Sequence, residues 1–201
     1  MKNANTKEIN TRIHILDEAT PLFAAQGYNG VSMRALSKAV GFSAAALYHH
    51  FPDKHTLYLE VMKHSFVNKA TAITRSISST GTPMERLEEL VEHFTLMINQ
   101  EQNFRSLVMW ELLDGDESRL KLVAEEVLLE PFKAMHALIK EIAPNVNHTM
   151  LTISTLWLVI SHSATTPMCR FLPGWDESYS DASVISEHVF QIIRKSINTT
   201  V

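Results

Sequence analysis

Two short, separately capped helices around one glycine leave the stretch V-S-M-R-A-L-S-K-A-V-G-F-S-A-A-A-L-Y-H-H-F, Val31 to Phe51, few ways to fold. Ser32 is a good N-cap, and Val31 before it pairs with Leu36 inside as a hydrophobic staple. The device repeats at once: Ser43 caps the second helix, Phe42 precedes it and Leu47 takes the matching inner position. Between them stands Gly41, the residue a helix uses to leave through the left-handed region. Two helices of about two turns joined this way fit a helix-turn-helix, spanning 32–51. The second helix opens on Ala44, Ala45 and Ala46, a small surface that lets a backbone come close, and Tyr48, His49 and His50 follow. A reading helix enters the major groove with its first turn and anchors on phosphates through polar side chains. On the hairpin alone an ordinary helical corner competes with that reading.

The surroundings decide between them. Leu22-Phe23, Gly27-Tyr28, the double-capped hairpin, Leu47-Tyr48-His49-His50-Phe51 and Lys54 stand at a combined spacing that closely resembles the N-terminal DNA-binding domain of TetR-family transcriptional regulators, over about residues 8–60. The resemblance implies a homodimeric, all-helical, ligand-responsive repressor. It implies that Ser32 and Arg34 contact phosphates and a base edge. It places Ser43, Ala44, Ala45 and Ala46 on the groove floor, with Tyr48, His49 and Lys54 holding further phosphates. The family often carries Gly where Ala45 stands; a methyl there narrows the approach and suits a thymine methyl. His50 and Phe51 are expected to pack inside.

Charge agrees modestly. From Met1 to Tyr58 six Lys/Arg face four Asp/Glu, and the remainder carries 12 against 18. A relatively basic front and an acidic back fit a DNA-facing end and a sensor end. The single cysteine, Cys169, excludes an internal disulfide framework and fits a reducing cytoplasm. The polar N-terminus is no signal peptide, and the most apolar run, Met150 to Ile160, is too short to span a bilayer, so no membrane role is expected.

Periodicity predicts an all-α fold of about nine helices, as a three-helix DNA-binding domain (1–60) and a larger helical effector-binding and dimerisation domain (61–201). The first helix runs about Lys7–Gln26, with a kink expected at Pro21. Another starts at Pro52-Asp53-Lys54 and reaches Ser78, about 38 Å at 1.5 Å per residue. Thr82-Pro83-Met84-Glu85 is a capping-box start. Further helices cover about Phe104–Leu113, Ser118–Ala143 with Pro131 bending or splitting it, Asn147–Thr165 and Asp181–Ile197. Thr166–Tyr179, with Pro167, Pro173 and Gly174, reads as a loop.

The resemblance puts the ligand pocket among the middle helices. Candidates are His93, Phe94, Met97, Phe104, Met109, Trp110, Phe132, His136, Trp157 and His162; each has an ordinary core reading beside it. Such a Met- and aromatic-rich pocket suits a hydrophobic or aromatic small-molecule effector. The resemblance also pairs the last two helices into a dimer bundle, with Trp157, Ile185, Val189 and Ile192 on its surface. His93, His136, His162 and Cys169 lack a compact ligand spacing, so no metal and no cofactor is expected. Glu111, Asp114, Asp116 and Glu117 read as a solvated acidic corner. A small helical enzyme or ligand carrier is the alternative. Against it, the chain has no G-x-S-x-G, H-E-x-x-H, P-loop or dinucleotide fingerprint, so no catalytic residues are assigned. The expected function is a dimeric repressor on a palindromic double-stranded DNA operator, released by its effector.

Overall fold

The structure, a computed structural model, describes residues 2–77 and 80–198. Ten α-helices follow one another: α1 (Lys2–Gly30), α2 (Met33–Ala39), α3 (Ala44–His50), α4 (Lys54–Ile77), α5 (Pro83–Gln100), α6 (Gln102–Asp114), α7 (Glu117–Val123), α8 (Leu129–Ile142), α9 (His148–Cys169) and α10 (Ala182–Asn198). Strands are absent among the described residues, so the all-α expectation holds. The helices form two compact units. Unit 1 comprises residues 1–68 and 106–127; unit 2 comprises 69–105 and 128–201. The segment carrying most of α6 and all of α7 therefore belongs with the N-terminal helices.

In unit 1, Ile15, Ala19 and Phe23 of α1 bury one stripe together with Leu36, Leu47, Phe51, Leu57 and Tyr58. The rings interlock edge to face, Phe23 on Tyr58 at 4.9 Å and Tyr28 on Tyr58 at 5.2 Å. Helix α1 passes through Pro21; the one residue inside it with non-helical torsions is Gly27, at φ 68° and ψ 177°. Pro21 therefore does not break the helix. It is exposed, as is Asp17, whose carbonyl the proline leaves without a donor. Gly27 ends the regular helix, as the sequence predicts, and a second constraint acts on it. An added Cβ would stand 2.9 Å from Cδ2 of Trp110. The indole is held in place by its own N–H, which donates to the Ala24 carbonyl at 3.0 Å. Gly27→Ala therefore combines left-handed strain with an overlap that the indole is held against relieving. We expect it to cost about 2–4 kcal/mol, read as a lower urea midpoint.

In unit 2, α10 packs on α5 and α9, and α8 on α5 and α9. Helix α5 has the expected start: Glu85 N–H donates to Thr82 Oγ1, and Glu85 Oε2 accepts from the Thr82 N–H. Leu87, Leu90, Val91, Phe94 and Ile98 line its buried face.

Three boundaries differ from the sequence reading. The 118–143 helix is split, but a π turn at Ala124–Leu128 marks the division before Pro131 is reached. Val127, whose carbonyl Pro131 leaves without a helical donor, lies in that turn. Helix α9 continues through Pro167 to Cys169, one turn past the expected end. A proline in the final turn removes one donor only, and the Arg170 N–H still closes on the Thr166 carbonyl at 3.2 Å. The loop is correspondingly shorter and holds a 3-10 turn at Glu177–Ser180. The expected end of the fourth helix at Ser78 lies outside the described residues.

Candidate nucleic-acid interface

The turn between α2 and α3 is built by backbone hydrogen bonds around Gly41, at φ 72°. Phe42 N–H donates to the Ser37 carbonyl at 2.9 Å and Gly41 N–H to that of Lys38 at 3.4 Å, a Schellman-type exit that needs a positive φ. Both caps are made. Ser32 Oγ accepts from Ala35 N–H and Ser43 Oγ from Ala46 N–H, each at 3.1 Å. Each serine accepts with a lone pair, so its hydroxyl proton stays available to an acceptor outside the protein.

Behind this face the hairpin is anchored. Val31, Leu36, Leu47 and Phe51 are buried. Arg12 of α1 donates from Nη1 to the His50 carbonyl at 2.6 Å and covers the Phe51 ring at 4.3 Å. His50 is half-buried and Phe51 fully buried, where the sequence reading put them. In front, Ser32, Arg34, Ser43, Ala44, Ala45 and His49 are exposed, Ala46 is half-buried, and Tyr48 is 49% exposed. Every hairpin residue named above as a DNA contact is thus at least partly exposed.

Lys54 is different. Its ammonium turns onto the backbone, donating to the carbonyls of Tyr28 at 2.9 Å and Val31 at 3.1 Å, and sits 4.1 Å from the Tyr28 ring centroid. Burial, then the nearby Arg119 guanidinium, lowers its pKa from the usual lysine value. Two of its three donors are used to tie the α1–α2 junction to α4.

That junction is gripped from its other side. Glu111 (2% exposed) and Arg119 (5% exposed) form a buried pair across the α6–α7 turn, Nε to Oε1 and Oε2 at 3.2 Å. Arg119 also donates from Nη2 to Asp114 at 2.9 Å, and its guanidinium stands 4.2 Å from the Tyr28 ring. Asn29 donates to the same Asp114 carboxylate at 3.1 Å. Tyr28 therefore has two cations against its ring, Lys54 and Arg119. Burial and the facing Glu111 carboxylate push the Tyr58 hydroxyl's pKa well up. The acidic corner expected to be solvated is instead organised by one arginine; Asp116 caps α7 through Arg119 N–H, and Glu117 alone of the four plays no part in these bonds.

The pocket candidates fall in both units. Phe94 and Phe104 are buried core residues of unit 2, Met97 is half-buried and His93 exposed. Met109 and Trp110 belong to unit 1, with Trp110 on α1. Phe132 stacks on His136 at 6.1 Å, and His136 meets His148 edge to face. Of the pocket candidates, His162 lines a cavity whose other walls include Cys169 and Ile185. Trp157 and Ile192 point outward, while Ile185 (3% exposed) and Val189 (0%) face the core of their own unit. α10 thus carries two adjacent stripes, an inner one with Ile185 and Val189 and an outer one with Val184, His188 and Ile192. No cluster of His, Cys, Asp or Glu that would hold a metal ion occurs among the described residues. No helix among them is long and apolar enough to cross a membrane.

A capped hairpin with a small-residue reading helix on a three-helix support defines the helix-turn-helix class. Residues 15–61, within unit 1, match the family described as "Bacterial regulatory proteins, tetR family". The HTH-type transcriptional repressor AcnR of Corynebacterium efficiens is 36% identical over 70 residues, 35% of this chain and 37% of that protein. The HTH-type transcriptional regulator AcrR of Shigella flexneri is 36% identical over 84 residues, 41% of this chain and 39% of its own length. The chain thus matches well under half the length of these relatives. Solved structures extend the likeness in fold. AibR, in complex with isovaleryl coenzyme A and operator DNA, superposes with a TM-score of 0.69 at 19% identity, covering 90% of this chain and 97% of that one. FadR from Bacillus subtilis, in complex with stearoyl-CoA, gives 0.74 at 13% identity, covering 90% and 96%.

Proposed function

We propose that this protein is a ligand-responsive transcriptional repressor that binds a palindromic operator as a homodimer, with residues 1–60 reading DNA and 61–201 sensing and dimerising. The observation that carries it is the exposed, doubly capped α2–α3 surface in a segment matching the tetR family. Ser32, Arg34, Ser43, Tyr48 and His49 hold phosphates. Ala44, Ala45 and Ala46 approach the groove floor, and Lys54 acts from behind by fixing the segment that leads into Ser32. The dimer face is the outward stripe of α9 (Met150, Ile153, Trp157) with Val184 and Ile192 of α10, all exposed apolar side chains at helical spacing. The effector carries a hydrophobic part. Two neighbours in fold hold acyl-CoA molecules, and the interior of unit 2 is apolar.

Selection of bound duplexes from a random DNA pool at moderate salt tests the reading. An enriched inverted repeat with half-site centres about one turn apart, roughly 34–36 Å, is the expected result; weak, salt-sensitive retention without enrichment would overturn it. On the selected operator, Arg34→Ala is expected to weaken binding similarly across related sequences. It should also flatten the log affinity–log salt slope by about 1 for each arginine–phosphate contact removed.

A further inference from the structure

A cavity of about 470 Å³ opens in unit 2, and of the pocket residues the sequence nominated it takes in His162. Its walls are the last two turns of α9 (His162, Thr165, Thr166, Cys169), the loop aromatics Trp175 and Tyr179, and the start of α10 (Val184, Ile185, His188). The volume falls in the range of small-molecule sites, about 300–1,000 Å³. The rings are arranged in two edge-to-face pairs, Trp175 on Tyr179 at 5.7 Å and His162 on His188 at 5.4 Å. Thr165 Oγ1 donates to the Ser161 carbonyl at 2.7 Å and Thr166 Oγ1 to that of His162 at 2.8 Å. Both hydroxyls have spent their proton and offer only lone pairs. Burial first, then the neighbouring His188, lowers the His162 pKa, which keeps that ring neutral near pH 7. None of the described lining residues is Asp, Glu, Lys or Arg. A charged group entering here would lose its hydration without gaining a counter-charge.

We propose that this cavity binds an uncharged aromatic molecule carrying a hydroxyl or amide N–H. Its ring packs among Trp175, Tyr179 and the His162–His188 pair, and its donor meets the lone pairs of Thr165 and Thr166. The inference deepens the regulator reading by locating an effector site, and it rests on that reading only for the consequence on DNA. The site lies where α9, the loop and α10 meet, and Val184 and His188 share a helix face with Ile192.

Cys169 lines the cavity and is the single cysteine of the chain, so its alkylation by iodoacetamide reports on this site alone. The probes are 2-naphthol, neutral at pH 7, and 2-naphthalenesulfonate, the same ring bearing a charge. On the full chain, calorimetry is expected to give one 2-naphthol per chain. Near saturation 2-naphthol slows Cys169 labelling about tenfold, the equivalent of about 1.4 kcal/mol, while the sulfonate at equal concentration leaves the rate unchanged. Thr165→Trp fills the cavity and removes the heat of binding. Cys169→Trp does the same from the end of α9 if the first variant unfolds. No 2-naphthol heat in the wild-type protein, heat retained in both filled variants, or equal protection by the sulfonate overturns the proposal. So does labelling that is slow in the free protein and rises on dilution, which would mean that a second copy fills the cavity. The duplex selection reads the regulator function separately, so naphthol binding without operator enrichment sinks that reading and leaves the site standing.

Discussion

Arg119→Ala is expected to destabilise unit 1 by about 3–5 kcal/mol, the usual cost of removing one partner from a buried ion pair. The guanidinium is the hub of the α6–α7 corner: its Nε–H is shared between both Glu111 oxygens, and it reaches Asp114 and Asp116 and faces the Tyr28 ring. Truncation leaves the Glu111 carboxylate buried without its counter-ion, and desolvation of that group is the larger part of the loss. Asp114 and Asp116 are exposed enough to rehydrate and add little. At roughly 2–4 °C per kcal/mol for a chain of this size, the melting point should fall on the order of 10 °C. Two companions separate the causes. Arg119→Lys keeps charge but loses the planar fork, so an intermediate loss is expected. The double variant Glu111→Leu, Arg119→Met removes both charges and should recover most of the stability, because the penalty lies in an unpaired charge. A single variant as stable as the wild type would show that the pair is solvated in solution.

The pair also marks where sequence reading stops. Caps are local: Ser32, Ser43 and Thr82 announce their helices within four residues, so the hairpin and the start of α5 were legible. The all-α class followed from apolar spacing. Partnerships across long stretches of chain were not legible. Glu111 and Arg119 are eight apart over a Gly turn, a spacing that no helix rule pairs, and Tyr28 lies far earlier in the chain. The family resemblance made Lys54 a phosphate ligand; its two carbonyl acceptors, Tyr28 and Val31, become visible only once α1 and α4 are packed. On α10 the spacing was legible and the azimuth was not. Ile185 and Val189 begin one stripe and Val184 and Ile192 another, rotated by a single residue, and period alone does not say which faces inward. Trp175 and Tyr179 were not among the pocket candidates; proline and glycine around them signal a loop, and the candidates were drawn from the helices.

Ala45→Glu should abolish specific operator binding while leaving the fold intact, the largest functional effect we expect from one exposed position. Ala45 is the second residue of α3 after the Ser43 cap, exposed, and on the surface assigned to the groove floor. In the free protein a carboxylate there sits beside the unpaired N–H groups and positive end of the helix, worth about 0.3–1 kcal/mol in the stabilising direction. Against DNA the same carboxylate meets phosphate charge and, where the groove closes over it, loses water. Affinity for the selected operator should drop at least about 100-fold, or about 2.8 kcal/mol, while the melting point stays level or rises. Opposite signs for stability and binding exclude misfolding as the cause. Ala45→Gly supplies the control: it removes the methyl, keeps the close approach, costs at most about 1 kcal/mol of helix stability and retains operator binding. If Ala45→Glu binds operator as the wild type does, α3 is not the reading helix, and the contact surface has to be sought elsewhere on unit 1.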